Sequence, residues 1–293
     1  MTDKKILKIV IEKVIWKGKQ KYSQIRCQLG GGQFIWNLDD HVNFVSYKDD
    51  LFSHVLYVCR GHEKIEIDWC ERWLKLDQSP QSVVDCGANI GYFSAVLAQR
   101  CSLGKILAIE GNQRTAKLCE KTFDILNLKN GHVVKAILSE NNADWYSIPD
   151  RLGREPWQNA VKVAVGANDI QTTTLDQVVS DFRVSPSLVK IDCEGFEPLI
   201  LRGATYLLNS IRPAFMIECN DSALELAGTN RHELFNLLRQ CDYKLFHLAS
   251  FTGFYPLGIE IDNAFPSSEF NFVAIPCDQN NLERWNQTIH PFC

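Results

Sequence analysis

The sequence predicts an α/β fold built on a doubly wound, mostly parallel seven-stranded sheet behind an N-terminal cap. Two observations carry this. Short apolar runs recur at Ser82–Asp85, Lys105–Glu110, His132–Leu138, Leu188–Asp192, Ala214–Glu218, Tyr243–Leu248 and Asn271–Ile275. Between many of them, Gly91–Cys101, Gln113–Leu126, Phe196–Leu208 and Arg231–Cys241 place apolar residues at helical spacing. Strands alternating with helices of this length form right-handed βαβ units, whose ligands bind outside the carboxyl ends of the strands.

Taken in order, residues 1–75 form an N-terminal extension. Strand-like pieces at Ile6–Ile15, Tyr22–Leu29 and Gln33–Leu38 precede a helix carrying Tyr57, Trp69 and Trp73. Residues 76–293 hold the rhythmic part, interrupted twice. Segment 139–173 carries two alternating stretches, Trp145–Ile148 and Val161–Val165, and reads as a hairpin beside the sheet. It leads into Thr174 and Gln177, which have the spacing of a capping box. Segment 249–270 is a long loop with Phe251, Phe254 and Tyr255, of the kind used as a lid. With Tyr57, Trp69 and Trp73 on the opposite side, its aromatics offer two walls for a bound molecule. The alternative is that both sets merely anchor their segments to the sheet.

The 293 residues carry a formal charge of −4, without the basic excess of a phosphate-backbone binder, so no nucleic-acid partner is expected. No apolar run is long enough for a membrane span, and charges interrupt the N-terminal stretch. Eleven cysteines are scattered without a C-x-x-C pair, which speaks against a sequence-local zinc site. They read as reduced thiols, and the expected location is cytoplasmic.

The richest stretch is "VVDCGANIGYFSAVLAQRC", a strand, a glycine turn and a helix. Such a turn presents free backbone N–H groups and a positive dipole end. Gly87-Ala88-Asn89-Ile90-Gly91 lacks the middle glycine of a dinucleotide fingerprint, which disfavours a nicotinamide-dependent oxidoreductase. Asp85 at the strand end repels a pyrophosphate and attracts a cation. Glu110, at the end of the second strand, is placed to accept both hydroxyls of a ribose. A guest with a ribose, a cationic tail and no phosphate is S-adenosylmethionine. The competing reading has both acids capping helices and both glycines making a tight turn.

The stretches "VVDCGANIGYFSAVLA", "ILAIEGNQ", "TTTLDQV", "LVKIDCEGFEPLILRGA" and "RPAFMIE" resemble, in this order, the FkbM-type S-adenosylmethionine-dependent methyltransferases. The resemblance covers about residues 66–218 and is most specific at Lys190–Glu197. It implies a class I methyltransferase (Rossmann-like) sheet and O-methylation of a hydroxyl on a sugar, glycoconjugate or secondary metabolite. It places Asp85, Gly87, Ala88, Asn89 and Gly91 around the methionine part of the cofactor and Glu110 at its ribose. Cys86 and Cys193 stand where aliphatic residues are common, and "EGNQ" lacks the usual proline after Glu110. Methylation of an amine or carboxyl, and a cofactor-binding module without catalysis, remain open alternatives.

Methyl transfer requires an aligned acceptor and, for an alcohol, a destination for its proton. Asp192 and Glu194 are the residues expected to orient the acceptor and remove its proton. Lys190 is a partner for this acid cluster or simply points to one face, and Glu197 reads as an acid favoured by a helix N-terminus. Asp192, Glu218 and Asn220 are a candidate oxygen set for Mg²⁺, against the alternative that they cap the next segment. His247 is a reserve base.

Overall fold

The structure is a computed structural model that describes Lys17, Lys21 and residues 32–38, 42–47, 50–59, 61–148, 161–162, 170–248, 259–262 and 269–289. The expected strands Ile6–Ile15 and Tyr22–Leu29 lie outside the described residues, as do Phe251, Phe254 and Tyr255.

A two-stranded antiparallel hairpin, β1 (Gln33–Asn37) and β2 (Asn43–Tyr47), precedes helices α1 (Leu51–Cys59) and α2 (Lys64–Lys75). The main sheet comprises β3 (Gln81–Cys86), β4 (Leu103–Ile109), β5 (Gly131–Val134), β10 (Leu188–Ile191), β11 (Ala214–Asn220), β12 (Tyr243–His247) and β13 (Glu269–Pro276). Its order is β12-β13-β11-β10-β3-β4-β5, with β13 antiparallel to both neighbours. This is a class I methyltransferase sheet, as the sequence implied.

Helices pack on both faces. On one lie α2, α3 (Tyr92–Arg100) and α9 (Gln279–Ile289) with the N-terminal hairpin, around Trp36, Phe44, Trp69, Val83, Leu97, Met216 and Trp285. On the other lie α5 (Leu175–Asp181), α6 (Glu197–Arg202) and α8 (Arg231–Gln240), around Val84, Leu107, Val189, Phe215, Ile217 and Phe235. Alternation in β10 divides the two: Val189 and Ile191 enter the second cluster, while Leu188 enters the first and Lys190 shares its face. Remaining helices are α4 (Gln113–Ile125) and α7 (Asp221–Leu226). No helix among the described residues is long and apolar enough to cross a membrane. The nine described cysteines are all free thiols.

Three expectations are revised. The run His132–Leu138 divides into β5 and β6 (Ile137–Leu138), and β6 leaves the main sheet to pair with β9 (Ile170–Thr173). With β7 (Trp145–Ser147) and β8 (Val161–Lys162) they form a small second sheet, which contains the expected hairpin. The helix expected over Phe196–Leu208 stops at Arg202 and resumes as a short π-helical turn, Leu207–Ile211. At the break the chain passes close to the second sheet, and Gly203 permits it: a Cβ there would sit 2.3 Å from the Ser139 carbonyl. Asp176 caps the second piece, accepting from Tyr206 N at 2.7 Å and Leu207 N at 3.0 Å. Finally, only half of the capping box forms. Thr174 Oγ1 accepts from Gln177 N at 3.1 Å, whereas the Gln177 amide donates to Asp181.

Candidate active site

A cavity of about 470 Å³ opens at the carboxyl ends of β3, β4, β10 and β11. That is ample for a small-molecule site. One end is apolar, lined by Ile109, Ala136, Ile137, Leu138 and Ile148, the last brought in beside β7 of the second sheet. Gly111 fits between these walls because a Cβ would lie 2.9 Å from both Ile137 and Ile148. The other end is walled by Glu63, Asp85, Lys190, Asp192, Glu218 and Asn271.

The glycine turn is shaped by its neighbours. Gly87 has φ +80°, and a Cβ would fall 1.9 Å from the Asp192 carbonyl, so β3 and β10 end in contact. Gly91, at φ +81°, lies over Cys119 Sγ. Asn89 is left-handed at φ 51°, and its N–H donates to Glu110 Oε2 at 2.8 Å. Glu110 Oε1 accepts from Asn112 N at 2.8 Å. Glu110 therefore ties the turn after β3 to the turn after β4 while retaining lone pairs for a guest. Burial raises its carboxyl to about 7 against those two donors.

Asp85 is fully buried, and Ser94 Oγ donates to its Oδ2 at 2.7 Å, while Oδ1 has no partner. Beside it in register stands Lys190. The Lys190 ammonium donates to Asp192 Oδ2 at 2.6 Å and lies 3.9 Å from Glu63 Oε2. Burial works to lower its pKa, but Asp192, Glu63 and Asp85 more than reverse this, so the amine stays charged. One cation is thus set among several acids. Burial pushes the carboxyls of Asp85, Glu63 and Glu218 upward, Glu218 most, against the opposing pull of the Lys190 ammonium.

Of the residues singled out from sequence, Asp85, Gly87, Ala88, Asn89, Glu110, Asp192, Glu194 and Glu218 line this one cavity. Gly91 lies behind it as the N-cap of α3. Glu194 occupies a left-handed conformation, φ 52°, at the rim. Glu197 stands outside the lining and braces the turn, its Oε1 accepting from Cys193 N at 2.8 Å and Gly195 N at 3.3 Å. Burial lifts it to about 7. Asn220 is engaged elsewhere: its Oδ1 accepts from Ser222 N and Ala223 N, capping α7. Among the described residues no group of three or more His, Cys, Asp or Glu side chains is arranged to hold a metal ion. His247 is buried in β12, away from the cavity. Trp69 and Trp73 are core residues rather than a wall. The N-terminal part instead contributes Asp50, Phe52, His62 and Glu63, none of them singled out from sequence.

The family profile of the methyltransferase FkbM domain matches residues 85–245, more than half of the chain. The chain belongs to the FkbM methyltransferase family. Solved structures are similar to it at low identity. The FkbM methyltransferase of Methylobacillus flagellatus KT is 16% identical with a TM-score of 0.45, over 76% of this chain and 54% of that one. Precorrin-6y C5,15-methyltransferase of Geobacter metallireducens GS-15 is 13% identical with a TM-score of 0.41, over 73% and 87%. A SAM-dependent methyltransferase of Agrobacterium tumefaciens is 8% identical with a TM-score of 0.43, over 84% and 70%. This FkbM family member thus spans about half the length of the Methylobacillus protein. No curated protein matches it. The FkbM match begins within β3 and ends within β12, so His62 and Glu63 before α2, and Asn271 on β13, lie outside it.

Proposed function

We propose that the protein transfers the methyl group of S-adenosylmethionine to a hydroxyl of a sugar, glycoconjugate or secondary metabolite. The observation that carries the reading is the partnerless Oδ1 of buried Asp85 at the cavity, an acceptor waiting for a cationic or hydrogen-donating guest. The residues fit the cofactor: Asp85 and the backbone of Gly87, Ala88 and Asn89 would hold its amino-acid end, with Gly91 fixing that loop. The spare lone pairs of Glu110 suit ribose hydroxyls, and the slot of Ile109, Ile137, Leu138 and Ile148 suits a flat base. When bound, S-adenosylmethionine supplies an activated methyl group on a sulfonium.

The chain supplies alignment. Asp192 and Glu194, just beyond the end of β10, would hold and orient the acceptor hydroxyl. The Lys190 contact fixes Asp192 in one orientation, which favours holding over proton uptake.

The test is transfer from methyl-labelled S-adenosylmethionine to a panel of methyl glycosides, catechols and amines, with the label located by mass spectrometry. Label in a new methyl ether supports the reading. Label on nitrogen or a carboxyl overturns the acceptor class, and failure to bind S-adenosylhomocysteine overturns the cofactor.

A further inference from the structure

The turn from α1 to α2 is built with care at a place the family match does not reach. Gly61, at φ +115°, abuts the Tyr92 hydroxyl, which its Cβ would approach to 2.6 Å, and Tyr92 Oη accepts from His62 N at 3.3 Å. Glu63 is left-handed at φ 48° and is the N-cap of α2, yet its side chain caps nothing. It turns into the cavity, where Oε1 accepts from Asn271 Nδ2 at 3.2 Å. A non-glycine residue held in this conformation, with its carboxylate diverted from the usual capping role, invites a functional account.

His62 Nε2 lies 4.0 Å from Glu63 Oε1, Glu63 Oε2 lies 3.9 Å from Lys190 Nζ, and Lys190 Nζ lies 2.6 Å from Asp192 Oδ2. These four side chains form a row of alternating base, acid, base and acid along the cavity wall. His62 ends the row, packed edge-on against Phe52 at 5.7 Å, with 38% of its side chain exposed.

We propose that His62 takes the proton of the acceptor hydroxyl and that Glu63 holds the imidazolium so formed. This rests on the methyl-transfer reading of the cavity. Three of the lining acids are otherwise engaged. Asp192 is bound to Lys190, Glu110 accepts two backbone amides, and Glu218 is kept neutral by burial. His62 is the histidine among the lining residues, and an imidazole is the side chain best matched to proton uptake near neutral pH. In the step, the acceptor O–H bond breaks with its proton passing to Nε2. The oxygen electron pair forms the new O–CH₃ bond, and the S–CH₃ bond breaks, leaving the neutral thioether S-adenosylhomocysteine. The exposed imidazolium then releases its proton to water. Charged or titratable groups facing the pair are Asp50 before α1, Lys64 on α2, Asp85 on β3, Tyr92 on α3, and Lys190 and Asp192 on the β10 side; Glu66 lies beyond Asn271.

The test follows the His62 imidazole by NMR across pH in the full chain loaded with S-adenosylhomocysteine, the signal assigned by its loss in His62→Gln. Glu63→Gln should weaken His62 proton affinity about tenfold relative to the parent. Titration unmoved by Glu63→Gln overturns the pairing; a Glu63→Asp variant that restores it supports the pairing even if the amide variant is unstable. On acceptors that take label, His62→Gln should keep S-adenosylhomocysteine affinity and lose roughly 10²–10⁴-fold in kcat. The rising limb of the kcat–pH profile should shift in Glu63→Gln as the NMR titration does. Undiminished turnover in His62→Gln overturns the proposal. Loss of S-adenosylhomocysteine binding in the parent strikes the underlying methyl-transfer reading instead.

Discussion

Glu110 shows how much one side chain can be asked to do. Its oxygens join two turns through Asn89 N and Asn112 N, and each retains a lone pair on the cavity side. Glu110→Ala should therefore lose both the brace and the ribose contact, weakening S-adenosylhomocysteine by roughly 1.5–3 kcal/mol in calorimetry. Unchanged affinity would remove Glu110 from the cofactor site. Asp192 is a different case, because its partner is a buried cation. Asp192→Asn keeps the shape and removes the charge that Lys190 relies on. The expected result is near-parental S-adenosylhomocysteine binding with kcat lowered about 10²-fold through a misaligned acceptor. Asp85, Glu110 and Asp192 were legible in sequence because each stands at or just beyond the end of an apolar run. His62 and Glu63 were not, since nothing local marks a turn residue that reaches across to β10. Asn271 enters the site because antiparallel β13 sets it opposite Glu218 in register, a long-range pairing that no local pattern encodes.

At the scale of elements, the aromatics of the N-terminal part are girders. Trp69 Nε1 donates to Thr288 Oγ1 at 3.1 Å, and Trp73 Nε1 donates to the Ser187 carbonyl at 3.3 Å. Trp285 on α9 stacks on Phe246 at 4.5 Å and lies 6.0 Å from Trp69, so α2, α9 and β12 share one packed seam. Trp285→Ala should cost about 3–5 kcal/mol, read as a lowered midpoint in urea unfolding. A loss below 1 kcal/mol would contradict the seam. The sequence displayed Trp69 and Trp73 plainly but left open whether they faced a ligand or a helix. Helix α9 itself was unread, because its amphipathic pattern follows the last strand as a polar-looking tail. Boundaries failed near close approaches between distant segments, as at Gly203, where the neighbouring carbonyl belongs to Ser139.

For the whole molecule, the balance of charge at the strand ends sets a pH dependence of stability. Glu110 and Glu197 are lifted from 4.5 to about 7 chiefly by burial, and Glu63 is shifted in the same direction. Between about pH 4.5 and 7 the folded chain therefore holds more protons than the unfolded one. Stability from these groups is complete below the unfolded value and falls as pH rises through 7. His247, lowered by burial, works in the opposite sense as a single group. The midpoint of thermal unfolding should drop by roughly 5 °C or more from pH 5.5 to 8, as several buried acids together outweigh one histidine. A midpoint that rises over this interval would show the cluster to be ionised without cost. The alternation of strand and helix made the sheet legible. The placement of β13 between β11 and β12 was not, because apolar alternation carries no strand direction.

The bond from Trp69 to Thr288 joins residues 219 apart in sequence. On the ribosome, this means that the flank of α2 and the Phe246 face of β12 stay unroofed until α9 has emerged. At roughly 5–20 residues per second, Phe246 and its apolar neighbours remain uncovered for several seconds, an opening for a chaperone or for a neighbouring chain. A chain halted after Pro276 would keep every cavity-lining residue and still lack that roof. Expressed alone, it should partition to the insoluble fraction while the 293-residue chain stays in solution; a soluble fragment that binds S-adenosylhomocysteine normally would show that α9 is ornament to biogenesis.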